Sequence, residues 1–343
     1  MNAGVRLAIS MGDPTGIGPE VTLKAISAGA LEGLIEPILV GDAGVWRDTA
    51  QRLGVRLDYR SLAQGGSGIA LLETCRLDAA LRVPGPAHDA AAAAAAGEAA
   101  YAAILGAVRL VQEGMAAAVV TAPISKAHVV AAGHDFPGHT ELLAALCGGV
   151  PVRMMMAGDR LRVVLVTTHL ALAEVPRQIT QAAVLETVTL TDAALRRHFG
   201  RATPHIAVAG LNPHAGEGGL FGDEEQRVIA PAVAAARRQG IDAVGPLSAD
   251  GVFAQAAAGA YDAVVCMYHD QGLAPFKLLH FADGVNVTLG LPFVRTSPDH
   301  GTAFDLAGSG RADPSSMIAA LQLAARLARG GAGIEGVRPA GVN

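Results

Sequence analysis

Three apolar runs that each end abruptly at a histidine constrain this chain more than any other feature. The stretch VVCMYHDQGLAPFK, Val264 to Lys277, passes from an apolar run into Tyr268, His269, Asp270, Gln271 and Gly272. RVVLVTTH closes on His169 in the same way, and HIAVAGLNPH closes on His214. An apolar run of this length, bounded by glycine and polar residues, fits a core strand covered on both faces, and such sheets bind ligands at the carboxyl ends of their strands. Three such histidines can converge on one point. Three imidazoles with an open coordination position make a catalytic rather than a structural site for zinc, cobalt or manganese. For each histidine alone, a hydrogen-bonded core residue is the competing reading.

The 343 residues leave room for about two domains. Strands alternate with helices from end to end, so the expected class is α/β with parallel sheet dominating. Hydrophobic residues make up 51% of the chain, much of it alanine and glycine. No run reaches the ~20 strongly apolar residues of a bilayer span. The start, MNAGVRLAISMGDPTG, reads as a first strand rather than a signal peptide, so the expected location is the cytoplasm without a membrane partner. A net charge of −5, from 26 basic and 31 acidic residues, gives no general attraction to nucleic acid. Cys75, Cys147 and Cys266 are odd in number and widely spaced, which argues against a disulfide framework.

Along the chain, Val5 to Ser10 reads as a strand and MGDPTGIGPEV as a turn into a helix from about Pro19. Gly16 and Gly18 invite a dinucleotide reading. Val21 at the third glycine position and Pro19 at a needed N–H favour a plain tight turn instead. Leu57 to His88 looks irregular, and Ala90 to about Glu113 looks helical. Lys126, after the strand ending at Thr121, reads as a solvated charge. In FPGHTELLAAL, His139 and Thr140 stand where a helix begins; the free N–H groups there can bind phosphate, or Thr140 can simply cap the helix. Val152 to Met156 and Leu161 to Thr167 form an expected hairpin. The glycines between Gly210 and Gly222 would let the backbone approach a ligand closely. Asp250 precedes a short helix, where a cap is the plain reading. Lys277 lies about two helical turns beyond His269. Asn286, Arg295, Asp299, His300 and Asp305 fall in a segment dense in glycine and proline, and Lys277 and Arg295 suit a phosphate or carboxylate on a substrate.

The motifs GDPTGIGPE, GHTELL, TTH, LNPHAGEGG, YHDQGLAPFK and VNVTLGLPFVRTSPDHGTAFD closely resemble the 4-hydroxythreonine-4-phosphate dehydrogenases of vitamin B6 biosynthesis, the PdxA family. The resemblance runs in order along nearly the whole chain. It implies an isocitrate and isopropylmalate dehydrogenase-like fold with two α/β/α domains around a central cleft. Residues 1–130 with 280–343 would form one domain and 131–279 the other, the latter with the dimer interface and most metal ligands. It implies a homodimer whose active sites, at the subunit interface, use residues of both subunits. It further implies one divalent metal per subunit (zinc, cobalt or magnesium) on His169, His214 and His269, with substrate contacts from His139, Thr140, Lys277, Asn286 and Arg295. NAD or NADP would be bound by loops, which agrees with the poor glycine fingerprint.

The family reaction oxidises the C3 hydroxyl of 4-phosphooxy-L-threonine with NAD, and the β-keto acid loses CO2 to give 3-amino-2-oxopropyl phosphate. A metal would acidify the hydroxyl and stabilise the enolate left by CO2. Lys277 is the first expectation for the base, Asp270 the second, and Asp250 a further catalytic candidate. Rival readings are a dehydrogenase of erythronate or threonate 4-phosphate, a cis-dihydrodiol dehydrogenase, a metal-dependent hydrolase and a phosphate-binding module. Thr140, Lys277 and Arg295 argue against the dihydrodiol.

Overall fold

The computed structural model describes residues 4–64, 68–136 and 138–330, so Pro137 of the FPGHT motif and residues 331–343 of the first expected domain lie outside the described residues. The chain opens with β1 (Val5–Ser10), α1 (Gly18–Ser27), β2 (Ile35–Gly41), α2 (Ala43–Leu53), β3 (Tyr59–Ser61) and β4 (Ile69–Glu73). Next come α3 (Ala90–Gln112), β5 (Ala118–Thr121), α4 (Lys126–Ala131) and α5 (His139–Leu146). The middle of the chain is β6 (Arg153–Ala157), β7 (Arg162–Leu165), α6 (Val175–Gln178), α7 (Gln181–Arg197), β8 (Ile206–Ala209), α8 (Ala230–Arg238), β9 (Ala243–Leu247) and α9 (Ala249–Ala257). It ends with β10 (Ala263–Cys266), α10 (His269–Leu279), β11 (Val285–Leu289), β12 (Val294–Pro298) and α11 (Ser315–Ala328).

All these strands join one mixed sheet in the order β3-β4-β2-β1-β5-β12-β11-β6-β7-β10-β8-β9. The fold is α/β, as the alternation of elements predicts. The pairs β11–β12, β11–β6 and β6–β7 are antiparallel and the remaining pairs parallel. Residues 5–121 and 294–298 build the strands from β3 to β12, and residues 153–289 build the strands from β11 to β9. The expected hairpin is β6–β7, with Met156 opposite Val163.

Local chemistry sets the boundaries. Asp42 caps α2 by accepting from Val45 N at 2.8 Å, Asp89 caps α3 from Ala92 N at 2.7 Å, and Thr180 caps α7 from Ala183 N at 3.1 Å. By length and composition α3 could cross a membrane. Its Ala99, Ala103, Ile104 and Ala107 are instead buried in the same core as Leu7, Ile9 and Leu39 of β1 and β2. The stretch read as irregular holds β3 and β4, whose shortness hides their alternation. Gly16 and Gly18 serve packing: a Cβ on Gly16 would come within 3.0 Å of Thr302 O, and one on Gly18 within 2.6 Å of Met11 O. These close approaches to Thr302 and Met11 account for glycine at both positions.

Candidate active site

Strands β7, β10 and β8 are parallel neighbours, so their carboxyl ends leave the sheet on one edge. That edge carries His169, His269 and His214, as the apolar runs predict. His169 and His269 follow adjacent strands, and their ring centroids stand 5.6 Å apart with planes tilted by 42°. His214 follows β8, two strand spacings from β7, about 10 Å. It does not join the pair within this chain. Its ring is 59% exposed, 3.7 Å from Asp250 Oδ2 and 6.4 Å, between centroids, from Phe221. Among the described residues no three His, Cys, Asp or Glu side chains come together as a metal cage.

The turn that carries His214 explains this. His214, Ala215, Gly216, Glu217 and Gly218 all have φ between 45° and 81°, a left-handed run that non-glycine residues adopt only when held. Glu225 holds it. This carboxylate, 2% exposed, accepts from Leu211 N and Asn212 N at 2.7 Å each and from Asn212 Nδ2 at 3.0 Å. The glycines of this loop close on the chain itself: a Cβ on Gly210 would sit 2.9 Å from Ala215 Cα, and one on Gly216 2.7 Å from Glu225 Oε2.

The two-histidine end has the donor chemistry of a metal site. His269 Nδ1 lies 2.7 Å from Asp270 Oδ1. A carboxylate only accepts, so Nδ1 carries the proton and the Nε2 lone pair is left for a cation. Burial, then the nearby Lys126 and His269, pull the His169 imidazole below its ordinary pKa, against the opposing effect of Glu141. A neutral ring is the form that binds metal. Asp270 is 85% exposed and does not line the cleft; its contact is with His269. Asp250 lies inside the first turn of α9 rather than capping it, because Ser248 is the N-cap residue. The neighbouring Ser248 hydroxyl, more than His214, lowers the Asp250 pKa against desolvation.

A cavity of about 510 Å³ runs from this pair across the central strands to Arg295, and His139, Thr140 and Asn286 line it too. Arg295 is 2% exposed. Its Nε and Nη2 donate to Thr121 Oγ1 at 3.1 and 2.6 Å, and its Nη1 to Thr288 Oγ1 at 3.0 Å. Burial pushes its pKa down to about 9, opposed by Glu141. A buried cation held only by hydroxyls is an unusual arrangement, and an anion entering the cleft would relieve it. His139 Nε2, Asn286 Oδ1 and His300 Nε2 are buried without a protein partner, and all three residues line this cleft. Burial, then Arg295 and Lys126, holds His139 well below its ordinary pKa. Thr140 is not a cap: Gly138 is the N-cap residue of α5 and provides no side-chain bond.

Lys277 does not line the cleft. Its Nζ donates to Asp299 O at 3.1 Å, forms an ion pair with the Asp299 carboxylate and lies over the Phe281 ring. Asp299 does line the cleft, and burial raises its pKa against the ion pair. The structure thus brings together His139, Thr140, His169, His269, Asn286 and Arg295, and leaves His214, Asp250, Asp270 and Lys277 outside the cavity wall. Thr121, Thr288 and Glu225 carry no functional signal in the sequence, and Lys126, expected as a solvated charge, lines the cleft.

Residues 33–324 match the model of the family described as pyridoxal phosphate biosynthetic protein PdxA. The chain belongs to the PdxA family. A 4-hydroxythreonine-4-phosphate dehydrogenase of Geobacter metallireducens is 53% identical over 96% of this chain and 97% of its own. The crystal structure of the Klebsiella pneumoniae enzyme of the same name superposes with a TM-score of 0.84 at 42% identity, covering 96% of this chain and 98% of that one. A terephthalate 1,2-cis-dihydrodiol dehydrogenase from Burkholderia xenovorans matches with a TM-score of 0.67 at 33% identity, over 94% and 98% of the two chains. PdxA membership makes the protein a dehydrogenase and sets aside the hydrolase and phosphate-binding-module readings.

Proposed function

We propose that the chain oxidises the C3 hydroxyl of 4-phosphooxy-L-threonine with NAD or NADP as hydride acceptor, on the route to pyridoxal phosphate. The β-keto acid so formed loses CO2 and leaves 3-amino-2-oxopropyl phosphate. The observation that carries this reading is one cleft with a buried, carboxylate-free arginine at one end and two imidazoles at the other. The names of the relatives support the same substrate.

In this reading Arg295, His139 and Thr140 bind the phosphoryl group, and Asn286, whose Oδ1 is buried without a protein partner, orients the substrate. Asp270 fixes the tautomer of His269. Lys277 holds Asp299 on the cleft wall; to act as a base it would first have to give up that ion pair. A zinc, cobalt or magnesium ion on His169 and His269, completed by His214 from a second copy of the chain, would act as a Lewis acid toward the substrate hydroxyl and the later ketone.

A homodimer fits the apolar surface around these histidines. Leu170 and Leu172, just after His169, are 46% and 69% exposed; Leu220 and Phe221, just after His214, are 74% and 47% exposed. Leu278 and Phe281 at the end of α10 are 86% and 81% exposed. Exposed large apolar side chains on the segments that carry these histidines support an interface there.

The dihydrodiol dehydrogenase neighbour favours a second reading, since terephthalate carries two carboxylates that the same cations could hold. Formation of NADH from 4-phosphooxy-L-threonine, erythronate 4-phosphate, threonate 4-phosphate and the terephthalate dihydrodiol, each with and without chelator, separates these readings. The proposal predicts fastest turnover of 4-phosphooxy-L-threonine and its loss with chelator. Preference for another substrate would overturn the assignment, and indifference to chelator would remove the metal.

A further inference from the structure

We infer that Lys126 is a substrate-binding residue, whose ammonium completes with Arg295, His139 and the first turn of α5 a seat for the phosphoryl group. This rests on the substrate reading above and adds a residue to it.

The chain has only three lysines. Lys24 pairs with Glu20 and donates to Gly310 O and Ala312 O. Lys277 pairs with Asp299. Among the described residues Lys126 has no carboxylate within ion-pair distance, and it lines the cleft. It is also the first residue of α4, after the cap residue Ser125. A cation there is opposed by the positive end of the helix, so helix stability does not account for it.

The ammonium points toward a second positive end. Lys126 Cε and Nζ lie 3.5 and 3.9 Å from where a Cβ on Gly138 would stand. Gly138 is the N-cap residue of α5, whose first-turn N–H groups receive no side-chain cap. Glu141 Oε2, 3.3 Å from the same point, is the one carboxylate of that turn. It stands against two full cations, Lys126 and Arg295, and a helix terminus. Lys126 lines the same cleft wall as His139, His169 and Arg295. The independent sign of a ligand here is Arg295, 98% buried with only hydroxyl partners, together with the unpartnered Nε2 of His139. A phosphate dianion would satisfy all of these at once.

The test compares Lys126→Met and Lys126→Arg with the unmodified, metal-loaded enzyme, after thermal melting confirms that both variants fold. Affinity for inorganic phosphate is measured by calorimetry, and KM and kcat with 4-phosphooxy-L-threonine. Lys126→Met should weaken phosphate binding and raise KM by about tenfold or more, with a smaller change in kcat. Lys126→Arg should keep most of both. Wild-type affinity for phosphate in Lys126→Met, or no phosphate binding by the unmodified enzyme, would overturn the inference. Loss of affinity for 4-hydroxy-L-threonine, which lacks the phosphoryl group, with phosphate binding unchanged would assign Lys126 to the carboxylate and overturn the phosphoryl seat. Failure of the unmodified enzyme to turn over 4-phosphooxy-L-threonine would instead strike the substrate reading, because the phosphate measurement does not depend on it.

Discussion

Arg295 donates through both Nε and Nη2 to the single hydroxyl of Thr121, at 3.1 and 2.6 Å. Thr121 ends β5 and Arg295 lies on its parallel neighbour β12, so the sheet register itself aims the guanidinium into the cleft. Replacing Thr121 by valine keeps the shape and removes the acceptor. Hydrogen bonds to charged groups contribute about 1.5–3 kcal/mol, so KM for the phosphorylated substrate should rise by about tenfold or more. Thr121→Ser should restore it. Equal damage by serine and valine would show that packing, not the hydroxyl, matters.

The contact between Asp270 and His269 makes a separate prediction. Asp270→Asn keeps the size but can donate to Nδ1, which releases the tautomer. Metal affinity should fall by a factor of about ten to one hundred, as read by competition with a chelating dye. Unchanged affinity would leave Asp270 without a role at the metal.

His139 titrates out of step with its unfolded state. Its folded pKa is lowered by burial, then by Arg295 and Lys126. An unfolded imidazole takes its proton near pH 6.5, so below that pH the unfolded chain gains a proton that the folded chain refuses. Stability is therefore full above about pH 6.5 and falls with acid, by up to about 1.4 kcal/mol per pH unit for one proton. Denaturant unfolding from pH 7 to 5 should show the unmodified protein losing more stability than His139→Gln, by about 1 kcal/mol or more. Parallel curves would contradict the assignment.

A site divided between two copies predicts complementation. His169→Ala and His214→Ala proteins should each be inactive, yet unfolding and refolding them together should restore activity in mixed dimers. One of the two sites in such a dimer has all three histidines. No recovery, with mixed dimers shown to form, would place the three ligands in one chain.

Strand ends were the most legible part of the sequence, because an apolar run that stops at a polar cluster marks the edge of a buried sheet whatever the tertiary context. That found His169, His214 and His269. It did not show that His214 turns away, since the left-handed turn depends on Glu225, one acid in the charged run GDEEQR. His139 and Thr140 are marked by the helix start they occupy and Arg295 by its fit to an anion, whereas the contact of Asn286 comes from the family resemblance alone. Thr121 and Thr288 escaped notice because a threonine in a strand looks like a β-branched filler; only the fold puts a guanidinium beside them. Lys126 looks solvated in the sequence because nothing local reveals that its side chain reaches Gly138 at the start of α5 and lines the cleft.

The most direct measurement is the stoichiometry of the reaction. Metal-loaded enzyme with 4-phosphooxy-L-threonine and NAD should release one CO2 for each NADH formed. NADH without CO2 would mean oxidation of a different kind of alcohol, and neither product would contradict the proposed activity altogether.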